Sequence, residues 1–275
     1  MRTQTAAQQR ILRLYHYQPF DATRLARIFT EKTIYCSNPR DLNDPWDCKP
    51  CFSKALLDDV ARYEHTVQWF VRLGRRTNPS MSEDEHKRRE GELRSNRRLL
   101  EWMIDEATRG LETAITSQYR VYCLSTRPDV PLLWSHYAGS HQGVCLEFSV
   151  QNDLFCGALP VVYRGAYPLF EMANSGEDAA LEVLLTKSDA WRYENEFRLI
   201  ATAPGYSFAG MLSTQDNFVK LPGDGLTSVI VGCLMAEEQR ALVRKLVEGS
   251  GQPVALKSAR RVPDQYAIEI SAERS

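Results

Sequence analysis

Four short blocks carry the side chains able to do chemistry: residues 14–17 (LYHY), 43–47 (NDPWD), 134–143 (WSHYAGSHQG) and 193–198 (YENEFR). In the first, His16 stands between Tyr15 and Tyr17. An imidazole that can donate to a hydroxyl or a phosphate is thus flanked by ring faces suited to a planar ligand. A strand-edge histidine tied to a backbone partner fits the same residues. In the second, Pro45 restricts Asp44 to extended backbone, and the Asn43 and Asp44 side chains can bond their own main chain, which describes a rigid turn. A rigid turn does not account for Trp46 among those acids, which also fits a loop that closes over a ligand.

In the third block Trp134, His136, Tyr137 and His141 crowd a short helix and the loop after it. Gly139 and Gly143 let the backbone turn tightly there, and the cluster reads either as a pocket wall or as structural packing. In the fourth, strand alternation puts Glu194, Glu196 and Arg198 on one face and Asn195 and Phe197 on the other. A glutamate at the head of an apolar strand needs a partner, and Arg198 is the obvious one. The pair is either structural or holds a carboxylate at a pocket floor, where it stabilises a cation that develops during reaction.

Other chemistry finds no support. Gly-x-Gly-x-x-Gly, Gly-Lys-Ser/Thr, His-Glu-x-x-His and Gly-x-Ser-x-Gly are all absent from the sequence, which disfavours P-loop hydrolases, Rossmann oxidoreductases, zinc proteases and serine hydrolases. Cys48 and Cys51 form a Cys-x-x-Cys, but no second pair stands at comparable spacing and only Cys36, His136 or His141 could add distant ligands, so no metal is expected. The 7 cysteines, an odd number among apolar neighbours, are expected reduced and mostly buried. Lys and Arg total 34 against 35 Asp and Glu, so a nucleic-acid partner would have to use a local patch. Residues 72–98 offer one, read either as a solvated helix face or as a phosphate-contacting surface. No segment reaches the roughly 20 apolar residues of a membrane span, and the opening residues hold no apolar run of signal length. A cytoplasmic protein with no membrane partner is expected.

The elements that must hold these blocks follow from periodicity. ILRLYHYQPF reads as a strand, with Tyr15 and Tyr17 on one face and Leu14 and His16 on the other. Asp21 or Thr23 caps a helix over Ala22, Leu25, Ala26 and Phe29, and KTIYCS is a further strand. Residues 54–118 are helical, with one stripe through Leu56, Val60, Val67 and Phe70, another through Leu93, Leu100, Ile104 and Ile115, and a break at residues 77–80. After Tyr119 short β-branched and aromatic runs take over: VYCLS, GVCLEFSV, ALPVVYRG, EFRLIATA, NFVKL, SVIVGCL and QYAIEIS. Helices intervene at residues 131–138, near 177–191 and at 236–247. The expected architecture is α+β: a single domain over residues 1–275 with a mixed, mainly antiparallel sheet and an inserted helical subdomain at 54–118.

Taken in order, LYHY, SNPRDLNDPWD, YCLS, LLWSHYAGSHQGVCLEF and KSDAWRYENEFRLI closely resemble the bacterial and phage family called domain of unknown function 2971, from about Leu14 to the sheet around Ile230. That family name implies no settled activity. LYHY with its following helix, and NEFRLI as a late strand, are also similar to ADP-ribosyltransferases of the DNA-modifying toxin type. This second resemblance implies an ADP-ribosyltransferase-like fold and a toxin or phage-defence effector that uses NAD as substrate. It implies that His16 contacts the ribose, Tyr35 or Tyr137 stacks on nicotinamide, and Glu196, or Glu194 in its place, is the catalytic carboxylate. His136 joins the catalytic candidates, and Tyr15, Asn43, Asp44, Trp134, His141 and Arg198 the cofactor-binding ones. Such a site requires His16 and Glu196 on adjacent central strands lining one cleft, and the transferase reading built on that pair fails if their side chains lie on opposite sheet faces. Two other readings stay open: a phosphodiester or nucleotide hydrolase built on Asp44, His136, His141 and Glu196, and a non-catalytic module binding a nucleotide-like small molecule or a protein.

Overall fold

A computed structural model describes residues 4–167 and 179–273. The chain enters its main sheet at β1 (Arg13–Gln18), where Leu14 is buried on one face and Tyr17 on the other. Asp21 then accepts a hydrogen bond from Arg24 N at 2.9 Å and starts α1 (Ala22–Thr30). Leu25, Ile28 and Phe29 fall on its buried face. After β2 (Thr33–Tyr35) and the polar loop, residues 54–118 are helical as expected, in a short 3-10 turn and three helices: α2 (Val60–Thr77), α3 (Glu83–Ser95) and α4 (Arg97–Gln118). A second break occurs at Asn96, whose side chain caps α4 through Leu99 N. The Leu56 side chain lies outside the described residues.

The remaining elements are β3 (Tyr119–Ser125), α5 (Pro131–Tyr137), β4 (Val144–Ser149), β5 (Leu159–Pro160), β6 (Val162–Arg164), α6 (Ala179–Leu184), β7 (Thr186–Ser188), β8 (Glu196–Thr202), β9 (Leu212–Ser213), β10 (Phe218–Lys220), β11 (Leu226–Val231), α7 (Glu237–Gly249), β12 (Ala255–Arg261) and β13 (Ile268–Ala272). Among the described residues the main sheet has nine strands in the order β13-β12-β11-β4-β1-β3-β8-β5, with β9 beside β8. It is mixed and mainly antiparallel. The parallel pair β11 and β12 is joined through α7, the crossover that parallel neighbours need. β2 pairs with β10, and β6 with β7, in separate two-stranded ladders.

One face of the sheet is sealed by α1 and α7, whose Leu25, Phe29, Val243 and Val247 pack on Leu14, Leu124, Phe148 and Phe197. Each such fully buried side chain contributes about 1.5–3 kcal/mol. The opposite face is covered in two patches. Leu133 and Trp134 of α5 pack on Tyr17, Cys145 and Ile230, while α2, α3 and α4 reach Val121 through Leu100, Ile104 and Ile115. The candidate site lies where these patches meet.

Three expectations are corrected. The helix expected near residues 177–191 is only α6, followed by β7 and a 3-10 turn (Asp189–Glu194); residues 177 and 178 lie outside the described residues. Thr186 is buried and paired with Val162, so tertiary pairing overrides the helical pattern. β12 has no apolar run to announce it, because Arg260 and Arg261 face solvent and Ser258 is the residue it buries beside Ala259. Glu194 is not in a strand: Asn195 takes a left-handed conformation at φ 44°, and β8 begins only at Glu196.

Gly143 sets the approach of α5 to β1. Its N–H donates to Ala138 O at 2.7 Å, and a Cβ there would lie 2.3 Å from Gln18 O. Gly143→Ala is therefore expected to lower stability by about 1–3 kcal/mol, read as a shift of the urea midpoint with an unchanged slope.

Candidate functional site

The site begins as a split in the sheet. β1 pairs with β4 along its full length, yet meets β3 at a single register position, Tyr15 opposite Ser125. Farther along, β3 is paired by the chain after β2, Ser37 and Val121 exchanging backbone hydrogen bonds of 2.8 and 2.9 Å. Cys123 O lies between these pairings, and His16 Nδ1 reaches it at 2.8 Å. A carbonyl only accepts, so Nδ1 carries the proton and Nε2 is left as an acceptor. The ring stacks on Tyr122 with centroids 4.1 Å apart. Burial lowers the His16 pKa to about 4, helped by the Arg24 charge and opposed by the carbonyl bond, so the ring is neutral at pH 7.

A cavity of about 250 Å³ opens in this split. Tyr15, Tyr17, Asn43 and Tyr137 form its walls, and Lys187, Glu194 and Glu196 reach it from below. Beneath lies a buried ion cluster. Arg198 is fully buried and forks onto Asp47, with Nη1 to Oδ1 at 3.0 Å and Nη2 to Oδ2 at 2.6 Å. Its Nε donates to Glu196 Oε1 at 2.7 Å, and Nη1 also serves Leu184 O at 2.6 Å. Lys187 Nζ donates to Glu196 Oε2 at 3.0 Å and to Glu194 Oε2 at 2.6 Å. The second oxygen of Glu194 accepts from Tyr137 Oη at 2.7 Å.

Three carboxylates thus share two cations, and the acids divide accordingly. Burial pushes Glu196 up, but Arg198 and Lys187 together override it and hold its pKa at about 2. Burial raises Glu194 to about 7, with Lys187 pulling down and the Glu196 charge pushing further up. Lys187 is held well above its ordinary value, because the surrounding carboxylates outweigh its burial. Of the two glutamates, Glu194 is the one in which burial prevails and favours the protonated form, and it touches the cavity. Two carboxyl groups driven apart in this way are a pattern shared by acid–base sites and by structural ion-pair networks.

The structure gathers only some of the expected residues. Tyr15, His16, Asn43, Tyr137 and Glu196 line the cavity. His16 and Glu196 are not on adjacent strands, because β3 lies between them. Register aligns Tyr15, Ser125 and Glu196, so strand alternation sends His16 toward the Leu14 face and Glu196 toward the other. The transferase reading built on His16 and Glu196 fails on that ground; the ring reaches the cavity only because the strands part. Trp134 is no wall: it is fully buried in the core, donating from Nε1 to Pro128 O at 2.8 Å. Arg198 is spent on Asp47 and Glu196, so it is a brace with no donor for a ligand. Asp44 caps its own turn by accepting from Trp46 N at 3.0 Å. Tyr35 and His136 line an adjoining cavity, and His141 sits in a third, 3.9 Å from Cys233 Sγ. Asp44, His136, His141 and Glu196 consequently share no common point, as a hydrolase built on them requires. Among the described residues no group of three or more His, Cys, Asp or Glu could hold a metal, and no helix is long and apolar enough to cross a membrane.

Lys187 is not among the sequence candidates, whereas Tyr17, offered there as a ring face beside His16, does line the cavity. Lys187 was hidden by a helical reading of its segment, and its one signal is a lysine directly after the apolar run VLLT. In the basic section at 72–98, Arg75 pairs with Glu83 at 2.7 Å, Arg94 with Glu90 at 2.7 Å and with Glu64, and Arg97 with Asp58 at 2.7 Å. Much of that charge is already matched by acids. Compared with known proteins, the chain matches no family model, no curated protein and no solved structure.

Removing one partner from a buried ion cluster strands the others. Arg198→Met is expected to cost about 3–5 kcal/mol in chemical denaturation, and Arg198→Lys to recover only part of it because a lysine cannot fork onto Asp47.

Proposed function

We propose that the cavity in the β1–β3 split is an active site that breaks the N-glycosidic bond of a nucleotide, with NAD as the substrate and the ADP-ribosyl group transferred to an acceptor or to water. The observation that carries this reading is Glu194: a carboxyl group pinned at both oxygens by Tyr137 and Lys187, at the floor of an aromatic-walled cavity. In such a reaction the bonding electron pair departs with the nicotinamide nitrogen, and positive charge grows on the ribose. A fixed carboxylate beside that carbon stabilises the charge without having to reorganise. Glu196, saturated by two cations, positions Lys187 and through it Glu194. This differs from the role that the resemblance to ADP-ribosyltransferases gives Glu196, and it takes up the alternative in which Glu194 is the reactive acid.

The working form of Glu194 is ionised. Its raised pKa means that the active species is lost as pH falls, so the rate is expected to drop about tenfold per pH unit below about 7 and to level above it. A nucleoside hydrolase using protonated Glu194 as general acid would show the reverse slope. The test is incubation with isotopically labelled NAD, with and without nucleic acid or cell lysate. Nicotinamide release is expected, reduced about 10²–10³-fold in Glu194→Gln with the pH dependence abolished. No release and no label transfer under any of these conditions ends the reading.

A further inference from the structure

Next to the first cavity lies a second of about 280 Å³, with His16, Tyr17, Ser37, Tyr122 and Tyr137 common to both. Its chemistry is opposite. Among the described residues no carboxylate lines it, whereas Arg24 and Arg27 of α1 do. Arg27 is steered by Glu31, to which its Nε donates at 3.1 Å, and lies over the Phe218 ring at 4.6 Å. Arg24 stands 6.0 Å over the Tyr35 ring and has no acidic partner among the described residues. Two further wall residues are buried and unsatisfied: Gln18 Nε2 and Thr33 Oγ1 have no hydrogen-bond partner among the described residues, although Gln18 is 4% and Thr33 8% exposed. Native folds rarely leave such groups without partners unless something other than the chain satisfies them.

Two guanidinium groups, an amide donor and a hydroxyl around one acid-free cavity are the complement of an oxyanion with several acceptor oxygens. We propose that this second cavity is an anion subsite that receives the phosphate groups of the nucleotide whose planar end occupies the first; this rests on the nucleotide reading of the first cavity. Arg24 and Arg27 supply charge, and Gln18 and Thr33 supply direction. The two cavities meet at His16, whose neutral ring presents Nε2 as an acceptor between them, where a ribose hydroxyl would lie.

Calorimetric titration of wild type, Arg24→Gln, Thr33→Val and Glu194→Gln with NAD, nicotinamide riboside and inorganic pyrophosphate tests this. Arg24→Gln is expected to weaken NAD and pyrophosphate about 10- to 100-fold while changing the phosphate-free riboside by less than about twofold. Thr33→Val is expected to weaken the same two ligands and, because it deletes an unsatisfied buried hydroxyl, to melt no lower than wild type without ligand. If Glu194→Gln weakens NAD while Arg24→Gln and Thr33→Val leave it unchanged, the anion subsite is wrong and the reading of the first cavity survives. If pyrophosphate binds and is lost in Arg24→Gln but neither NAD nor the riboside binds, the subsite stands and the nucleotide reading falls. Wild-type protein that binds none of the three overturns both.

Discussion

Two buried cations shared among three buried carboxylates are the arrangement on which the rest of this structure depends. Each ion in such a cluster carries a desolvation penalty of several kcal/mol, recovered only if every donor and acceptor is met at good distance. That condition binds together segments far apart in the chain: the polar loop through Asp47, β7 through Lys187, the 3-10 turn through Glu194, and β8 through Glu196 and Arg198. The loop at 43–47 is held against the sheet because Arg198 forks onto Asp47. Tyr137 in turn is aimed by Glu194, and so α5 is tied to the same cluster. Packing places the helices, but the charges decide how the polar segments meet.

Much of this was readable from local pattern. The period-2 alternation in LYHYQ and VCLEFS gives β1 and β4 and their facing residues, and Asp21 marks the start of α1, because these signals act within a few residues. The Glu196–Arg198 pair was readable for a similar reason: an acid and a base two positions apart on a buried strand must meet. Lys187 was not readable. Its role depends on a parallel pairing of β7 with β6, at the end of a segment whose local pattern reads as helix. Glu194 was readable as a candidate but not its placement, since left-handed Asn195 converts an expected strand position into a turn and brings the carboxyl group to Lys187 from another direction.

The parted strands explain why the blocks converge without sharing a sheet face. Had β1 and β3 paired throughout, His16 would be confined to the side sealed by α1 and α7, away from every acid. Because Ser37 takes over the edge of β3 at Val121, β1 is released after one register position, and the His16 side chain bonds the carbonyl that a strand neighbour would have taken. A side chain thus substitutes for main-chain pairing where the ligand-sized spaces open. The site is a property of the gap between two strands, which no single segment encodes.

Electrostatics then argue for the kind of ligand that fits both spaces. With Glu194 protonated the ion cluster is neutral, two acids against two cations; with it ionised, the cluster carries one uncompensated negative charge, and Asp41 adds another acid to the wall of the first cavity. The second cavity has two arginines in its walls and, among the described residues, no acid. A ligand bridging them is best served by a positive group at one end and a negative group at the other. On the proposed reading, a pyridinium joined through ribose to a diphosphate has that polarity. Entry of its cationic ring favours the ionised form of Glu194 that the glycosidic step uses, so binding and activation draw on the same proton.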